Sequence, residues 1–380
     1  MKRFIKGFLA FVGALVLLSW VTGYGYIWGG MRETYFRGWK NSNIDDLEFR
    51  DVVTLPAVNP QPWPEALLPE SALSEASAAA MDASLAASFL VIFRDTIRYE
   101  RYWRGHDRST RTNSFSMAKT ITALAVGLAA DQGVLTVNDP VGDHLERFAG
   151  TDLTVEHLLQ MRSHIPFGEN YKNPFAFMAQ SYYKDGVRDL LAEYTLSEPA
   201  GTEWKYQGGN TMLLEEIVSS GSGRTLSDWI ARGLWGPMGA ESDAYWGVDD
   251  SVDPPVERCF AQFYATTRDF ARFGKLLSDS GRWNGRQLVS AAYIERLLTP
   301  VNALDPACDA THYGYQIWLG TTDDGAAFSV LEGHRGQFVI SVPALDLVVV
   351  RTGYDKPSDK IRHLPGEVYR VIDFAREVLK

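Results

Sequence analysis

A serine hydroxyl becomes a nucleophile only beside a base. The chain offers two Ser-x-x-Lys spacings that could provide one, Ser116-Met117-Ala118-Lys119 and Ser181-Tyr182-Tyr183-Lys184. The second runs straight into the turn pair Asp185-Gly186 and has no long apolar segment behind it. The first opens an apolar run with Met117, Ile121, Leu124 and Leu128. Ser116 therefore falls at a helix start, where backbone N–H groups are unpaired and the dipole favours developing negative charge. The i, i+3 spacing sets Lys119 on the same face, and a desolvated lysine is neutral enough to take the serine proton. The plainer alternative is an exposed serine cap with a solvated lysine in the first turn. Other hydrolytic chemistries lack their residues: the sequence has no His-Glu-x-x-His, no Gly-x-Ser-x-Gly elbow and no phosphate loop. His106, His144, His157, His312 and His363 have no metal-ligand spacing and read as structural, so neither metal nor cofactor is expected.

Holding such a pair in place takes a core, and 380 residues with 46% hydrophobic and 22% charged content can build one. The 47 acidic residues outnumber the 37 basic ones, leaving a net charge of −10 and no broad basic face, so nucleic acid is not an expected partner. Lys2, Arg3 and Lys6 precede an uncharged run from Phe8 to Trp28, about 32 Å as a helix. Residues 1–28 read as an uncleaved inner-membrane anchor with Tyr24, Tyr26 and Trp28 at the far interface and the rest of the chain on the extracytoplasmic side. Secretion after cleavage near Gly25 is the alternative. Residues 29–70, with Pro56, Pro60, Pro62, Pro64 and Pro69, read as a tether. The folded unit is expected over 71–380. It begins with a helix at 71–84 and a hairpin, Phe89–Phe93 and Ile97–Trp103, before the buried helix at 116–131. A mostly helical insertion comes next, at about 135–255. Strand patterns return at Gly314–Trp318, Phe328–Leu331, Gln337–Val342 and Leu345–Arg351, ahead of a final helix from Gly366. The expected class is α+β, an antiparallel sheet built from both chain ends and flanked by helices. Cys259, in a buried strand, and Cys308, in a polar loop, are expected to be unbridged.

Three segments in order carry a resemblance: Ser116-x-x-Lys119 heading a buried helix, Tyr206-Gln207-Gly208-Gly209-Asn210 before another apolar helix, and Gly333-His334-Arg335-Gly336-Gln337 before a late strand. The arrangement resembles the serine beta-lactamase and penicillin-binding-protein superfamily in its class C-like branch, and within it the 6-aminohexanoate-oligomer hydrolases and related esterases. Supporting stretches are Leu153–Ser163, Phe167–Tyr171, Leu234–Gly239 and Thr267–Gly274.

The resemblance implies a beta-lactamase-like fold and Ser116 as the acylated nucleophile. Lys119 and Tyr206 become the proton-handling pair, the tyrosine serving if Lys119 lowers its pKa; which of the two is the base stays open. The backbone N–H groups of Ser116 and Gln337 would form the oxyanion hole, with His334-Arg335-Gly336 in place of a Lys-Thr-Gly triplet and Gly336 admitting substrate close to the backbone. Tyr171 and Asn210 would contact substrate. Gly208 stands where beta-lactamases of this branch carry Asn, His334 where they carry Lys, and His164 where relatives mostly have Gly. The implied activity is hydrolysis of a small ester or linear amide through an acyl-enzyme. A D,D-peptidase or beta-lactamase, and a non-catalytic ligand sensor of the same fold, are the alternatives. Oligomeric state is open.

Overall fold

The computed structural model of the protein describes residues 2–305, 308 and 310–380. An apolar helix, α1 (Lys2–Val21), is long and apolar enough to cross a membrane and has no buried residue. After it come α2 (Tyr26–Glu33), β1 (Val52–Leu55), α3 (Glu75–Ala83), β2 (Ala86–Phe93), β3 (Thr96–Tyr102), β4 (Arg111–Asn113) and α4 (Met117–Asp131). The middle of the chain contributes α5 (Phe177–Tyr183) and α6 (Gly208–Ser222), then β5 (Ala244–Asp249), β6 (Phe263–Thr266) and α7 (Thr267–Ser278). The last part adds β7 (Trp318–Thr321), β8 (Ala327–Gly333), β9 (Gln337–Val342), β10 (Leu347–Gly353) and α8 (Gly366–Val378).

Six strands form an antiparallel sheet in the order β7-β8-β9-β10-β2-β3, so its centre joins the two chain ends. Side chains alternate across a strand, and both faces of β10 are covered, so apolar residues occupy successive positions along it. Val348 and Val350 pack toward α4, α6 and α7, while Leu347 and Val349 pack toward α3 and α8. The helix on the inner face, α4, is buried along almost its whole length, as its uninterrupted apolar and small residues require. The α+β class and the sheet from both ends match expectation. One strand pattern is displaced: the expected strand at Gly314–Trp318 begins only at Trp318, because Gly314 lies against the Leu297 carbonyl and Gln316 takes a positive φ of 55°.

The expected helical insertion contains Val155–Leu159, α5, Val187–Ala192, α6 and Leu226–Ile230, but it also contains β5. That strand pairs with β1 and β6 in a second antiparallel sheet, order β1-β5-β6-β4. Five of its six residues are buried, which erases the alternation that would mark a strand in the sequence. Cys259 is buried in a turn and not in a strand, and Cys308 is buried beside Val301 and Ala310; both thiols are free.

The stretch at 29–70 is not a free tether. Ile44, Leu55 and Trp63 sit in the main core, β1 pairs along β5, and the Trp63 indole donates to the Arg268 carbonyl at 3.0 Å. At the centre of this segment Asp46 is almost fully buried. Its Oδ1 accepts from Asn113 Nδ2 (3.0 Å) and the Tyr264 hydroxyl (2.8 Å), its Oδ2 from the Tyr182 hydroxyl (3.0 Å) and Arg50 (2.9 Å). Arg50 also pairs with Glu33 of α2. Asn113 passes the constraint on, since its Oδ1 accepts the N–H of Phe115 at 2.8 Å, one residue before the Ser116 nucleophile candidate. Proline-rich, aperiodic sequence hid this because the packing partners lie far along the chain.

Replacing Asp46 with Ala strips acceptors from three neutral donors and leaves the buried Arg50 with Glu33 alone. Removing one partner of a buried ion pair typically costs about 3–5 kcal/mol. Urea unfolding of Asp46→Ala is expected to show a loss of that order, and a loss under about 1 kcal/mol would show that this hub does not hold the segment.

Candidate active site

Ser116 precedes the first residue of α4 and uses no side-chain capping bond, so its hydroxyl is free for another partner. That partner is Lys119, whose Nζ donates to Ser116 Oγ at 2.9 Å and to the Phe260 carbonyl at 3.1 Å. The turn leading in is tightly held. Phe115 has φ of +45°, an unfavourable conformation for a bulky residue. It is kept there by its N–H bond to Asn113 and by the neighbouring Ser114 N–H, which donates to the Phe263 carbonyl of β6 at 2.8 Å. The exposed-cap alternative is overturned, since Lys119 is only 1% exposed.

Burial decides the electrostatics. Desolvation pulls the Lys119 amine down to about 8, against the opposing pull of the Glu169 charge. Tyr206 moves the other way: burial, reinforced by Glu169, raises its phenol well above the ordinary value, with a hydrogen bond to Ser116 opposing. The expectation that Lys119 lowers the Tyr206 pKa is thus corrected. The amine lies over the Tyr206 ring, 5.0 Å from its centroid, and the ring is clamped by Trp318 (5.5 Å, stacked) and Tyr313 (6.0 Å, edge-on).

Glu169 received no role from the sequence, although it lies in the quoted stretch Phe167–Tyr171. Its carboxylate accepts the Gly208 N–H at 2.9 Å and the Tyr171 hydroxyl, and burial raises its pKa. The only available signal was an acidic residue two positions before an aromatic, too common to single out. The Phe260 carbonyl was likewise beyond sequence reading, because a backbone acceptor has no residue signature.

The opposite wall is the turn between β8 and β9. A Cβ on Gly333 would come within 2.2 Å of the Ser114 carbonyl, so this hairpin end abuts the turn before Ser116 and brings the Gln337 backbone to it. The Gln337 side chain is spent on the turn itself, donating to the carbonyls of His334 (2.9 Å) and Gly353 (2.7 Å). The His334 ring lies edge-on to Phe115 (5.6 Å) and stacks with Tyr171 (6.0 Å). Desolvation by surrounding protein and the Arg335 and Lys356 charges push the His334 imidazole down to about 4, so it is neutral at pH 7 although the residue is exposed.

Two residues expected to contact substrate are buried against the protein. Gly336, at φ +81°, accommodates the Arg351 guanidinium, which would stand 2.4 Å from a Cβ there. Asn210 is fully buried inside α6 with its amide against Met161 Sδ at 3.4 Å. Ser181, of the second Ser-x-x-Lys, is fully buried in α5 and bonded to the Met178 carbonyl. Among the described residues no group of three or more His, Cys, Asp or Glu side chains could hold a metal ion.

The candidate site is thus a Ser-x-x-Lys pair at the head of a core helix, its lysine buried, faced by a tyrosine and walled by a hairpin of the antiparallel sheet. A model of the Beta-lactamase family matches residues 75–362, and the chain belongs to that family. A 6-aminohexanoate-dimer hydrolase from Paenarthrobacter ureafaciens is 26% identical over 300 residues, covering 73% of this chain and 75% of its own. Among solved structures, a Bacillus anthracis protein provisionally assigned as a 6-aminohexanoate-dimer hydrolase superposes with a TM-score of 0.76 at 22% identity, covering 89% of this chain and 93% of its own. A family VIII carboxylesterase gives 0.62 at 20% identity over 82% of this chain and 99% of its own. The protein is a hydrolase of the beta-lactamase fold.

An amine with a pKa near 8 is about nine-tenths protonated at pH 7 and about nine-tenths neutral at pH 9. If Lys119 is the base, kcat/KM for a neutral ester rises as pH increases, by about 5- to 10-fold between these values. A profile that is flat or falling across pH 7–9 would remove Lys119 from that role.

Proposed function

We propose that the chain hydrolyses a small ester or linear amide through an acyl-enzyme on Ser116. The observation carrying this reading is the 2.9 Å bond between a buried, pKa-depressed Lys119 and the Ser116 hydroxyl. Neutral Lys119 takes the hydroxyl proton as Oγ attacks the carbonyl carbon. The oxyanion is received by the N–H groups of Ser116 and Gln337. Tyr206, kept protonated by its raised pKa, gives its proton to the leaving oxygen or nitrogen and regains one from Lys119. Water then repeats the attack on the acyl-serine with the same groups in reverse. Tyr171 closes one side of the cleft over His334.

Both features that separate this site from a beta-lactam site have physical consequences. Gly208 carries no side-chain amide, its N–H is occupied by Glu169, and a Cβ there would already touch Met178 and Phe260 at 3.3–3.4 Å. Neutral His334 offers no permanent charge to a carboxylate next to the reacting bond. Each missing partner costs about 1–3 kcal/mol. The relatives named for amide and ester hydrolysis fit this preference. We further infer that α1 remains as a membrane anchor holding the catalytic domain on the extracytoplasmic side, because basic residues precede it and the domain begins immediately after it.

A fluorophosphonate probe is expected to label Ser116. Ser116→Ala abolishes labelling and lowers p-nitrophenyl butyrate turnover by roughly 10⁴-fold or more, with thermal stability nearly unchanged, whereas Ser181→Ala keeps both. Labelling that survives Ser116→Ala would end this reading. On the same protein nitrocefin should be about 100-fold or more less efficient in kcat/KM than the ester, as two lost contacts of about 1.5 kcal/mol each would give; parity would favour a beta-lactamase or D,D-peptidase.

A further inference from the structure

The cleft at Ser116 opens into a cavity of about 580 Å³ bordered by two neighbouring helices that are far apart in sequence. One wall is α2, with Ile27, Gly30 and Met31; the other is α5, with Met178, Ala179 and Tyr183; Phe115 and Phe260 stand beside the nucleophile. The formal charges on its lining are Lys40 and Lys172, both exposed to solvent. Thr34, Asn41, Ser42 and Asn173 also line it, but the larger share of its surface is apolar, which suits a hydrocarbon.

The wall formed by α2 is attached to α1. The Trp28 indole donates to Ser19 Oγ at 2.7 Å, and the Trp20 ring covers Gly25, so the apolar helix and the cavity wall are joined across a short turn. The same turn is pinned to the domain near the cavity. The Tyr26 hydroxyl donates to the Pro174 carbonyl at 2.7 Å, and the Tyr24 ring meets Phe175 edge-on at 5.2 Å. Tyr35 and Tyr171 line the cavity and are exposed, and Phe175 is exposed beside it. Exposed aromatic residues next to a membrane-length helix form the kind of belt that settles at the lipid–water boundary.

Resting on the acyl-enzyme reading above, we propose that the substrate is an amphiphilic ester or amide resident in the membrane, whose hydrocarbon chain lies in the cavity between α2 and α5 while its carbonyl meets Ser116. The chain leaves one apolar phase for another, and the aromatic rim sets the depth at which the carbonyl is presented. Each methylene buried from water is worth up to about fourfold in binding.

The test uses the full chain reconstituted in phosphatidylcholine–phosphatidylglycerol vesicles and p-nitrophenyl acetate, octanoate and palmitate. Octanoate should exceed acetate by at least about 30-fold in kcat/KM, well inside the ceiling that six extra methylenes allow. Ala179→Trp, which fills the cavity, should cut the octanoate-to-acetate ratio at least about 10-fold; Ile27→Ser, which adds no bulk, should lower the same ratio and covers the case in which the tryptophan variant fails to fold. Palmitate ester embedded in the enzyme's own vesicles should be consumed faster than the same ester held in separate vesicles. A ratio near one, a ratio that neither variant moves, or equal consumption from both vesicle populations would overturn the proposal. Acetate hydrolysis without chain preference defeats this inference alone; no hydrolysis of any ester, with Ser116 unlabelled by fluorophosphonate, defeats the acyl-enzyme reading as well.

Discussion

The arrangement turns on keeping one amine out of water. In solvent a lysine is neutral about once in a few thousand molecules at pH 7, whereas at a pKa near 8 about one in ten is ready to accept a proton. The gain requires that Lys119 be enclosed without a carboxylate in contact, because a close anion would restore its charge. The structure meets this by giving Nζ two uncharged partners, Ser116 Oγ and the Phe260 carbonyl, and by holding Glu169 to the Gly208 N–H and the Tyr171 hydroxyl. The complete burial of the helix around Lys119 answers the same demand. So does the Phe260 turn, which presents a backbone oxygen as acceptor where a side chain would bring either charge or bulk.

Much of this was legible in the sequence, and the reasons differ residue by residue. Ser116 and Lys119 were legible because their spacing, helix position and apolar surroundings are all local. The sheet from both ends was legible through runs such as Gln337–Val342 and Leu345–Arg351. Asp46 was not, since it is satisfied by Asn113, Tyr182 and Tyr264, which lie 67, 136 and 218 residues away. A carboxylate in a proline-rich stretch looks solvated until its partners are placed around it. The sign of the Tyr206 shift was hidden for a related reason: a neighbouring amine argues for a lower value, and only the depth of burial and the Glu169 charge reverse it. Asn210 and Gly336 matched motif positions, yet a motif records order along the chain, while helix phase and the Arg351 guanidinium decide which way each residue faces.

The N-terminal segment does more than connect. Trp39 stacks on Tyr354 at 5.5 Å and lies under the Arg335 guanidinium, which donates to the Tyr354 carbonyl at 2.6 Å. Through Asp46 it fixes the turn that carries Ser116, and through Trp39 it steadies the turn that carries His334. The two walls of the cleft are thus referenced to one stretch of chain that precedes both. This shared brace explains how a site assembled from separate sheets keeps ångström-level positions without a metal or a disulfide among the described residues.

The central pairing of β2 with β10 has a temporal consequence. The buried Ser88 and Thr352 hydroxyls meet at 2.7 Å although 264 residues separate them, and Arg351 reaches the Ser84 carbonyl across 267. Closing so long a loop comes late in folding. While the polypeptide is being synthesised, the strand carrying Ser88 waits with an open edge until residues near 350 emerge. Ser116 and Lys119 exist in the nascent chain long before Gln337 can stand beside them. The Ser116 side of the cleft therefore meets its opposite wall only at the end of biosynthesis.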